Sequence, residues 1–535
     1  MDTFADIRRT PLLTALHQAH ARRREISPEA RRRLAAEYRL SAAQLDDFIS
    51  FFPAFSARPE GTFRVCTGPA CRLAQGADGP RHLARQLATP GASAAFCLGH
   101  CDRAPAVIPA ADAEIPTPAP PDTRWLEHYG PDAPRQRLDA LLSDLAAAGL
   151  CGMGGGGFPA YKKLAALRAD PAPDKVLIAN ADEGEPGTFK DRWLLDHHPG
   201  TVLTGLYLAC RITGARHALI YLRHEYAAAE PRLVAALHAM EQAGLLRGIG
   251  AAADTAHPLL PSIAIVRAGG PYICGEETAL IASLEGRRGL PAPGPPYPVD
   301  AGLFGHPTLV HNVETLYYLA RIGRHGPAWY RGDGNGRRHF SASGPVRRPG
   351  IYELPAHSSA RQVLEAAGGL VDNRGVAAFI PGGGSSGLLP ATALDVPLTA
   401  TALAPWGAGP GTGGMVFLPR GACVVDMAAH LAEFLAAESC GQCDPCRLGT
   451  RHQARALDAL CRGTSQNTPL DPAPLADTAI ALRQLSICGL GRFAPTVVET
   501  LLRHFSTEVA AHGRGECAAG VCPTAAGARN TGDGA

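Results

Sequence analysis

Lys175-Val176-Leu177-Ile178-Ala179 reads as a short buried β-strand. It runs directly into an acidic loop, Asn180-Ala181-Asp182-Glu183-Gly184-Glu185-Pro186-Gly187-Thr188-Phe189-Lys190-Asp191. Carboxylates gathered at the C-terminal end of a strand lie where α/β sheets bind ligands. They repel phosphate, but they accept hydrogen bonds from ribose or ribityl hydroxyls and from the N–H edge of a flavin ring. A solvated acidic turn is the other reading of the same residues. Ala218-Leu219-Ile220-Tyr221-Leu222 is a second buried strand, and long helical segments separate the two, so an α/β region spans roughly Trp125 to Gly334.

Upstream of this strand lies Gly149-Leu150-Cys151-Gly152-Met153-Gly154-Gly155-Gly156-Gly157-Phe158-Pro159. Removing Cβ atoms over so short a loop lets backbone N–H groups approach a phosphate or a flat ring. The loop fits neither the dinucleotide fingerprint nor the P-loop, and a flexible linker has the same composition. Downstream come Gly270-Pro271-Tyr272-Ile273-Cys274-Gly275-Glu276-Glu277-Thr278-Ala279, Pro295-Pro296-Tyr297-Pro298 and His311-Asn312-Val313-Glu314-Thr315. Tyr272 and Tyr297 offer stacking faces, though a lone tyrosine is more often core.

Ten of the fifteen cysteines fall in groups and the other five are scattered singly. Ser439-Cys440-Gly441-Gln442-Cys443-Asp444-Pro445-Cys446, with Cys488 far downstream, gives C-x2-C-x2-C plus a remote thiol, the pattern of a 4Fe–4S cubane. Zinc is the rival, but three thiols in one run crowd a single tetrahedral ion. Cys66 and Cys71, with Cys97 and Cys101, form two unequal pairs suited to a 2Fe–2S rhomb, structural zinc again being the alternative. Cys517 and Cys522 have no assignment. Clustered thiols of this kind belong to a reducing compartment and to metal rather than to disulfides.

Length and composition set the frame. At 535 residues the chain needs several domains. With 46% hydrophobic and 19% charged residues it reads as globular protein. A net charge of +2 argues against nucleic-acid or anionic-membrane binding driven by bulk charge. The arginines at 22–24 and 31–33 read as a solvated helix face or subunit contact. No run reaches membrane-spanning length and no secretory signal pattern is evident, so the expected location is cytoplasmic, with no direct membrane insertion. Ser27-Pro28-Glu29 and Ser41 start two helices in the first 55 residues. The proline-rich stretch at 111–122 is a linker. Residues 337–403 turn to short strands with glycine–proline turns, the chain is helical again from about Cys423 to Phe505, and the last twenty residues are expected to be disordered.

Together these motifs resemble one family over nearly the whole chain: the NADH-binding, FMN-carrying subunit of respiratory complex I, which recurs in soluble NAD-dependent formate dehydrogenases and NAD-reducing hydrogenases. Residues 149–163, 180–192, 268–316 and 439–449 carry the resemblance, and residues 27–110 resemble its thioredoxin-like 2Fe–2S neighbour, here fused to it. The implied architecture is α/β multidomain: an N-terminal helical segment (1–59), a thioredoxin-like ferredoxin domain (60–110), a linker (111–124), an FMN/NADH-binding α/β domain (125–335), a ubiquitin-like β-grasp domain (336–405), a C-terminal helical bundle with the 4Fe–4S cluster (406–510) and a tail (511–535).

The resemblance also implies roles. Gly152, Gly154 and Lys163 would lie along FMN, with Asn180, Asp182 and Tyr272 at its other contacts and Asn312 and Thr315 at its phosphate end. Phe158, Glu185, Glu276 and Glu277 would meet NAD(H). Glu183, Gly275 and His311 belong to the same cofactor-binding set. Cys440, Cys443, Cys446 and Cys488 would hold the 4Fe–4S cluster, and Cys66, Cys71, Cys97 and Cys101 the 2Fe–2S cluster. Hydride would pass between NAD(H) and FMN, with Glu185 orienting the nucleotide and no acid–base residue required. The expected partners are the other subunits of a multi-subunit oxidoreductase. The host is expected to be a soluble formate dehydrogenase, on the strength of residues 379–390 and Asp395-Val396-Pro397-Leu398, with complex I or NAD-reducing hydrogenase as alternatives. A structural relay or zinc scaffold with a decayed nucleotide site is the non-enzyme alternative. Departures bear on it. Cys151 and Met153 stand where the family often has arginines, Leu164 replaces an aromatic, His311 replaces an asparagine, and Ala292-Pro293-Gly294 lacks the usual cations. Fewer cations imply a weaker hold on dinucleotide phosphates.

Overall fold

A computed structural model describes residues 11–23, 25–56, 63–74, 83, 85–109, 128–248, 260–334, 336–463 and 472–523. The proline-rich linker and the end of the tail lie outside these residues. The chain divides into two compact units. The first comprises Met1–Pro59, Asp112–Gly184 and Lys190–Arg337; the second comprises Glu60–Ala111, Glu185–Phe189 and Arg338–Ala535.

The first unit is built on a four-stranded parallel sheet in the order Ser262–Arg267, His217–Leu222, Val176–Ala181, Thr308–Asn312. His217–Leu222 is buried along its whole length, as its continuous apolar run requires. Chain order moves outward on one side of Val176–Ala181 and then returns to its other side with Thr308–Asn312. The sheet therefore has a switch point between these two strands, where Ala179 pairs with His311 and Asn180 with Asn312. Helices Pro199–Thr213 and Val313–His325 pack so closely that a Cβ on Gly205 would sit 1.9 Å from the Leu316 carbonyl oxygen. Only glycine permits that approach.

The N-terminal helices belong to this unit. Ser27 caps Pro28–Tyr38, and Ser41 with Gln44 forms a capping box on Ala42–Phe51. The first helix, Leu12–Arg23, is tied to the region after Ser262–Arg267 by His17 Nε2 and the Ala268 carbonyl at 3.0 Å. Arg32 and Arg33 are exposed.

The second unit contains two sheets and a run of helices. The small sheet has Phe63–Cys66 at its centre, parallel to Ala92–Ala95 and antiparallel to Val107–Pro109. The larger sheet runs Leu389–Pro390, Val376–Ile380, Gly414–Pro419, Arg337–Ser343, Gly350–Pro355, with helix Ala360–Ala366 completing the β-grasp arrangement. Phe340, Phe379 and Phe417 fill its core. Its central strand, Gly414–Pro419, lies beyond the domain edge expected at 405, because a mixed sheet recruits its middle strand from late in the chain. Helices Val424–Ala437, Asp444–Arg462, Pro472–Leu485, Gly489–Phe493, Pro495–His504 and Ser506–Gly513 follow. The last of these crosses the edge expected at 510, and the described chain continues to residue 523, so the helical region reaches further than its composition suggests. Among the described residues no helix is long and apolar enough to cross a membrane.

Candidate functional site

The switch point gathers the first unit's candidate residues. Leaving Val176–Ala181, the Asn180 side chain donates to the Gly275 carbonyl at 2.8 Å and accepts from the Asp182 N–H at 3.0 Å. This fastens the acidic loop to the Tyr272–Gly275 turn. Tyr272 covers Gly184, where a Cβ would come within 2.8 Å of the ring. The glycine loop closes on itself through Gly152 N–H to the Phe158 carbonyl at 2.8 Å and is pinned by Met153 N–H to Thr315 Oγ at 2.9 Å. A Cβ on Gly154 would lie 3.4 Å from Asn312 Cβ.

Among the described residues the N–H groups of Gly154, Gly155 and Gly156 have no protein acceptor. A row of open amides beside the start of helix Val313–His325 suits an anion or a polar ring edge, so the residues present fit an FMN-type ligand. Phe158 is 51% exposed at the loop's end.

Several candidates have structural duties here. Thr315 is fully buried and holds the loop, so the open amides rather than its hydroxyl are left for a phosphate. Glu276 caps helix Glu277–Leu284, accepting from the N–H groups of Thr278 at 3.0 Å and Ala279 at 2.9 Å; burial raises its pKa. Glu277 pairs with Lys163 at 2.7 Å, both about one-third exposed. His311 is buried, and desolvation followed by the Lys163 charge pushes its pKa down to about 3. It is neutral at physiological pH and does not replace the missing cations.

Beside Asn312 lies a buried charge cluster of Lys190, Asp191, Glu314 and Glu183, of which only Glu183 was expected at the cofactor site. Lys190 Nζ sits 2.6 Å from Asp191 Oδ1, 3.3 Å from Glu314 Oε2 and 4.0 Å from Glu183 Oε1. Burial alone would lower the Lys190 pKa, but Asp191, Glu314 and Glu183 outweigh it and hold the ammonium above its ordinary range. Burial, then Asp191, lifts Glu183 to about 7. The Glu183 carboxylate accepts from the Asp191 and Arg192 N–H groups and from the Tyr226 hydroxyl at 3.0 Å, so these bonds turn it into the protein. Asn312 joins the cluster to the site. Its amide donates to Asp191 Oδ2 at 2.6 Å, and its oxygen accepts from the Glu314 N–H at 2.9 Å as the cap of helix Val313–His325. The signal available in sequence was Lys190-Asp191-Arg192 opening one helix and Glu314 in the first turn of another.

Glu185 belongs to the second unit. It is 5% exposed, and its carboxylate accepts from the Ser385 N–H at 2.6 Å. Gly383 leaves the space for it, since a Cβ there would lie 2.4 Å from Glu185 Cγ.

The second unit also brings the cysteine sets together. Cys66, Cys71, Cys97 and Cys101 are all buried, with the Cys97 and Cys101 sulfurs 3.8 Å apart. Cys71 Sγ accepts from the Ala106 N–H at 3.3 Å and Cys97 Sγ from the Gly99 N–H at 3.4 Å, bonds that favour thiolates and tune a cluster. Gly68 keeps the loop tight, a Cβ there meeting the Phe96 carbonyl at 2.5 Å. Cys443 precedes helix Asp444–Arg462, and Cys446 lies in its first turn. Burial first, then the nearby Cys443, Cys488 and Cys440, pushes the Cys446 thiol up to about 12, so the remote Cys488 has joined the run. Both donor sets fit iron–sulfur ligation.

Comparison with known proteins bears on the same segments. The thioredoxin-like [2Fe–2S] ferredoxin family model matches residues 3–114, the Nuo51 FMN-binding domain residues 145–321, and the NADH-ubiquinone oxidoreductase-F iron–sulfur binding region residues 426–512. An F-type subunit of NADH-quinone oxidoreductase from Rhizobium meliloti (strain 1021) is 37% identical over 379 residues, covering 70% of this chain and 89% of the relative. Its counterpart from Aquifex aeolicus (strain VF5) is 38% identical over 366 residues, covering 67% and 82%. A chain of an NAD+-reducing [NiFe]-hydrogenase in the H2-reduced state superposes with a TM-score of 0.79 at 32% identity, covering 94% of this chain and 92% of that one. This chain therefore belongs to the family of F-type subunits of NADH-quinone oxidoreductase, as an NADH-binding flavoprotein with FMN, 4Fe–4S and thioredoxin-like 2Fe–2S regions.

Proposed function

We propose that this chain acts as the diaphorase module of a multi-subunit oxidoreductase, exchanging hydride with NAD(H) and single electrons with its partners. The observation that carries this reading is the row of open glycine amides at the sheet's switch point, in a chain that also assembles two four-cysteine sets. FMN supplies the conversion between a two-electron hydride and one-electron iron–sulfur carriers. The protein's part is binding and orientation. The amides of Gly154 to Gly156 would hold the phosphate end. Asn180 keeps the Asp182 loop and the Tyr272 turn in register, and Lys163 supplies a cation near the open side. Phe158 presents a ring face to the nucleotide, and Glu185 orients its nicotinamide end.

The purified holoprotein is expected to carry about six irons, four for the cubane and two for the rhomb. NADH should bleach its flavin absorption anaerobically. Cys443→Ser should abolish the cubane's paramagnetic signal while sparing the 2Fe–2S signal. A protein without iron–sulfur absorption, or one whose flavin NADH leaves oxidised, would end this reading.

For the host assembly, a hydrogenase-type complex has the broader support. The hydrogenase chain superposes over 94% of this one and 92% of its own length. The formate-linked host rests on residues 379–390 and 395–398 alone. Reduction of NAD+ by H2 or by formate in the purified complex separates the two.

A further inference from the structure

Neither the flavin site nor the two iron–sulfur sets uses Cys423, His512, Cys517 or Cys522. Their ligand atoms all lie within 4.8 Å of one another. They come from distant parts of the second unit. Cys423 is the cap residue of helix Val424–Ala437, His512 is in the last turn of Ser506–Gly513, and Cys517 and Cys522 follow on the C-terminal segment. We propose that these four residues form a tetrahedral zinc site that fastens the C-terminal segment to the helices around the 4Fe–4S cysteines.

The spacing favours one ion over a cluster. Zn–S bonds of about 2.3 Å and Zn–N bonds of about 2.0 Å place ligand atoms about 3.5–3.8 Å apart along the edges of a tetrahedron. The Cys423 and Cys522 sulfurs are 3.7 Å apart, and Cys423 Sγ lies 3.3 Å from His512 Nε2. A 2Fe–2S rhomb would instead need two thiol pairs held apart by the width of the cluster.

The surrounding bonds fit the same ion. His512 Nδ1 is 2.8 Å from the Glu508 carbonyl oxygen, a partner that can only accept. The proton is thereby fixed on Nδ1, and the Nε2 lone pair faces the sulfurs, the arrangement that orients a metal-ligating imidazole. Cys423 Sγ accepts from the Asp426 N–H at 3.3 Å at the start of a fourteen-residue helix, which favours its thiolate. His512 and Cys522 are buried at 4% and 5% exposure. Three thiolates and a neutral imidazole match the Cys3His set of structural zinc, with the three thiol protons released to solvent on binding.

The site would brace the cluster bundle. Cys461 lies beside Cys522 and sits at the far end of helix Asp444–Arg462, whose first turn carries Cys446. A metal here fixes the beginning of one bundle helix and the C-terminal segment beside the end of a second.

Elemental analysis of the purified full-length holoprotein should find one zinc in addition to the iron. Zinc K-edge absorption should fit three sulfurs and one nitrogen at about 2.3 Å and 2.0 Å. Cys517→Ser/Cys522→Ser should lose that zinc while keeping its FMN and the paramagnetic signals of both clusters. Wild-type protein without zinc would overturn the proposal, as would zinc with an oxygen-only shell or a disulfide between any two of the three cysteines.

Discussion

A carboxylate within this loop is defined by what it touches rather than by its place in the sequence, and Glu183 and Glu185 show how far two neighbours diverge. Glu183 is buried behind the site and keeps its proton up to about pH 7, against an ordinary value of 4.5. A raised acid contributes stability that is fully present below about pH 4.5 and is lost as pH rises through about 7. The difference corresponds to about 3 kcal/mol. Glu183→Gln should remove this dependence: the loss in melting temperature of the wild type between pH 5 and pH 8 should shrink in the variant, and equal losses would show that Glu183 is ionised throughout. Glu185 makes a different case. Its bond from the Ser385 N–H survives in Glu185→Gln, whose amide oxygen accepts equally, so the fold and FMN content should not change. If Glu185 orients the nicotinamide, removing its charge should slow NADH:ferricyanide turnover about tenfold or more. Wild-type rates in a variant with full FMN would place the nucleotide elsewhere.

At the scale of elements, helix Val313–His325, to which Met153 N–H ties the glycine loop, begins on a buried charge cluster. Lys190 is the cation set among Asp191, Glu314 and Glu183. Removing one partner of a buried ionic set costs about 3–5 kcal/mol, because the remaining charges stay buried without compensation. Lys190→Met should therefore lower the melting temperature and, by loosening Asp191 and the Asn312 cap, lower FMN retention through gel filtration. A stable variant with full flavin would mean that the carboxylates hold enough protons to stand without the lysine. The sequence showed the visible face of this site and not its support. The glycine loop, the strand-end asparagine and the cysteine runs were legible because their chemistry is local in the chain. Glu314 and Lys190 were not, since only folding brings them together. The strand Gly414–Pro419 was missed for the same reason, its pairing with Arg337–Ser343 being set by the whole sheet. Cys423 is separated from His512 by most of the helical region, so no spacing rule reaches it.

On the scale of the molecule, the two cysteine sets lie in the same unit, and the joint between the small sheet's region and the helical bundle fixes how they stand to one another. Arg72, on helix Pro69–Ala74 beside Cys71, makes a bidentate pair with Asp426 in the first turn of Val424–Ala437, Nη2 donating to Oδ1 at 2.6 Å and Nε to Oδ2 at 3.3 Å. Phe96, next to Cys97, packs against His430 and Phe434 on the same helix, with ring centroids 5.4 and 5.5 Å away. The ion pair is about one-fifth exposed, so it is poorly screened, and its bidentate form fixes direction as well as distance. The aromatic contact supplies apolar burial but less directional constraint, which leaves the orientation of Pro69–Ala74 to the ion pair. Asp426→Asn keeps the size and the backbone N–H that bonds Cys423 Sγ, but replaces a charge-assisted fork with at most one neutral hydrogen bond, a loss of about 1–3 kcal/mol at this joint. Iron content and NADH:ferricyanide turnover should stay at wild-type levels, because neither cysteine set nor the flavin cradle is touched. Amide hydrogen exchange in Pro69–Ala74 should quicken by about tenfold, the equivalent of 1.4 kcal/mol in local opening. Unchanged exchange in that helix would show that the Phe96 contact alone holds the joint.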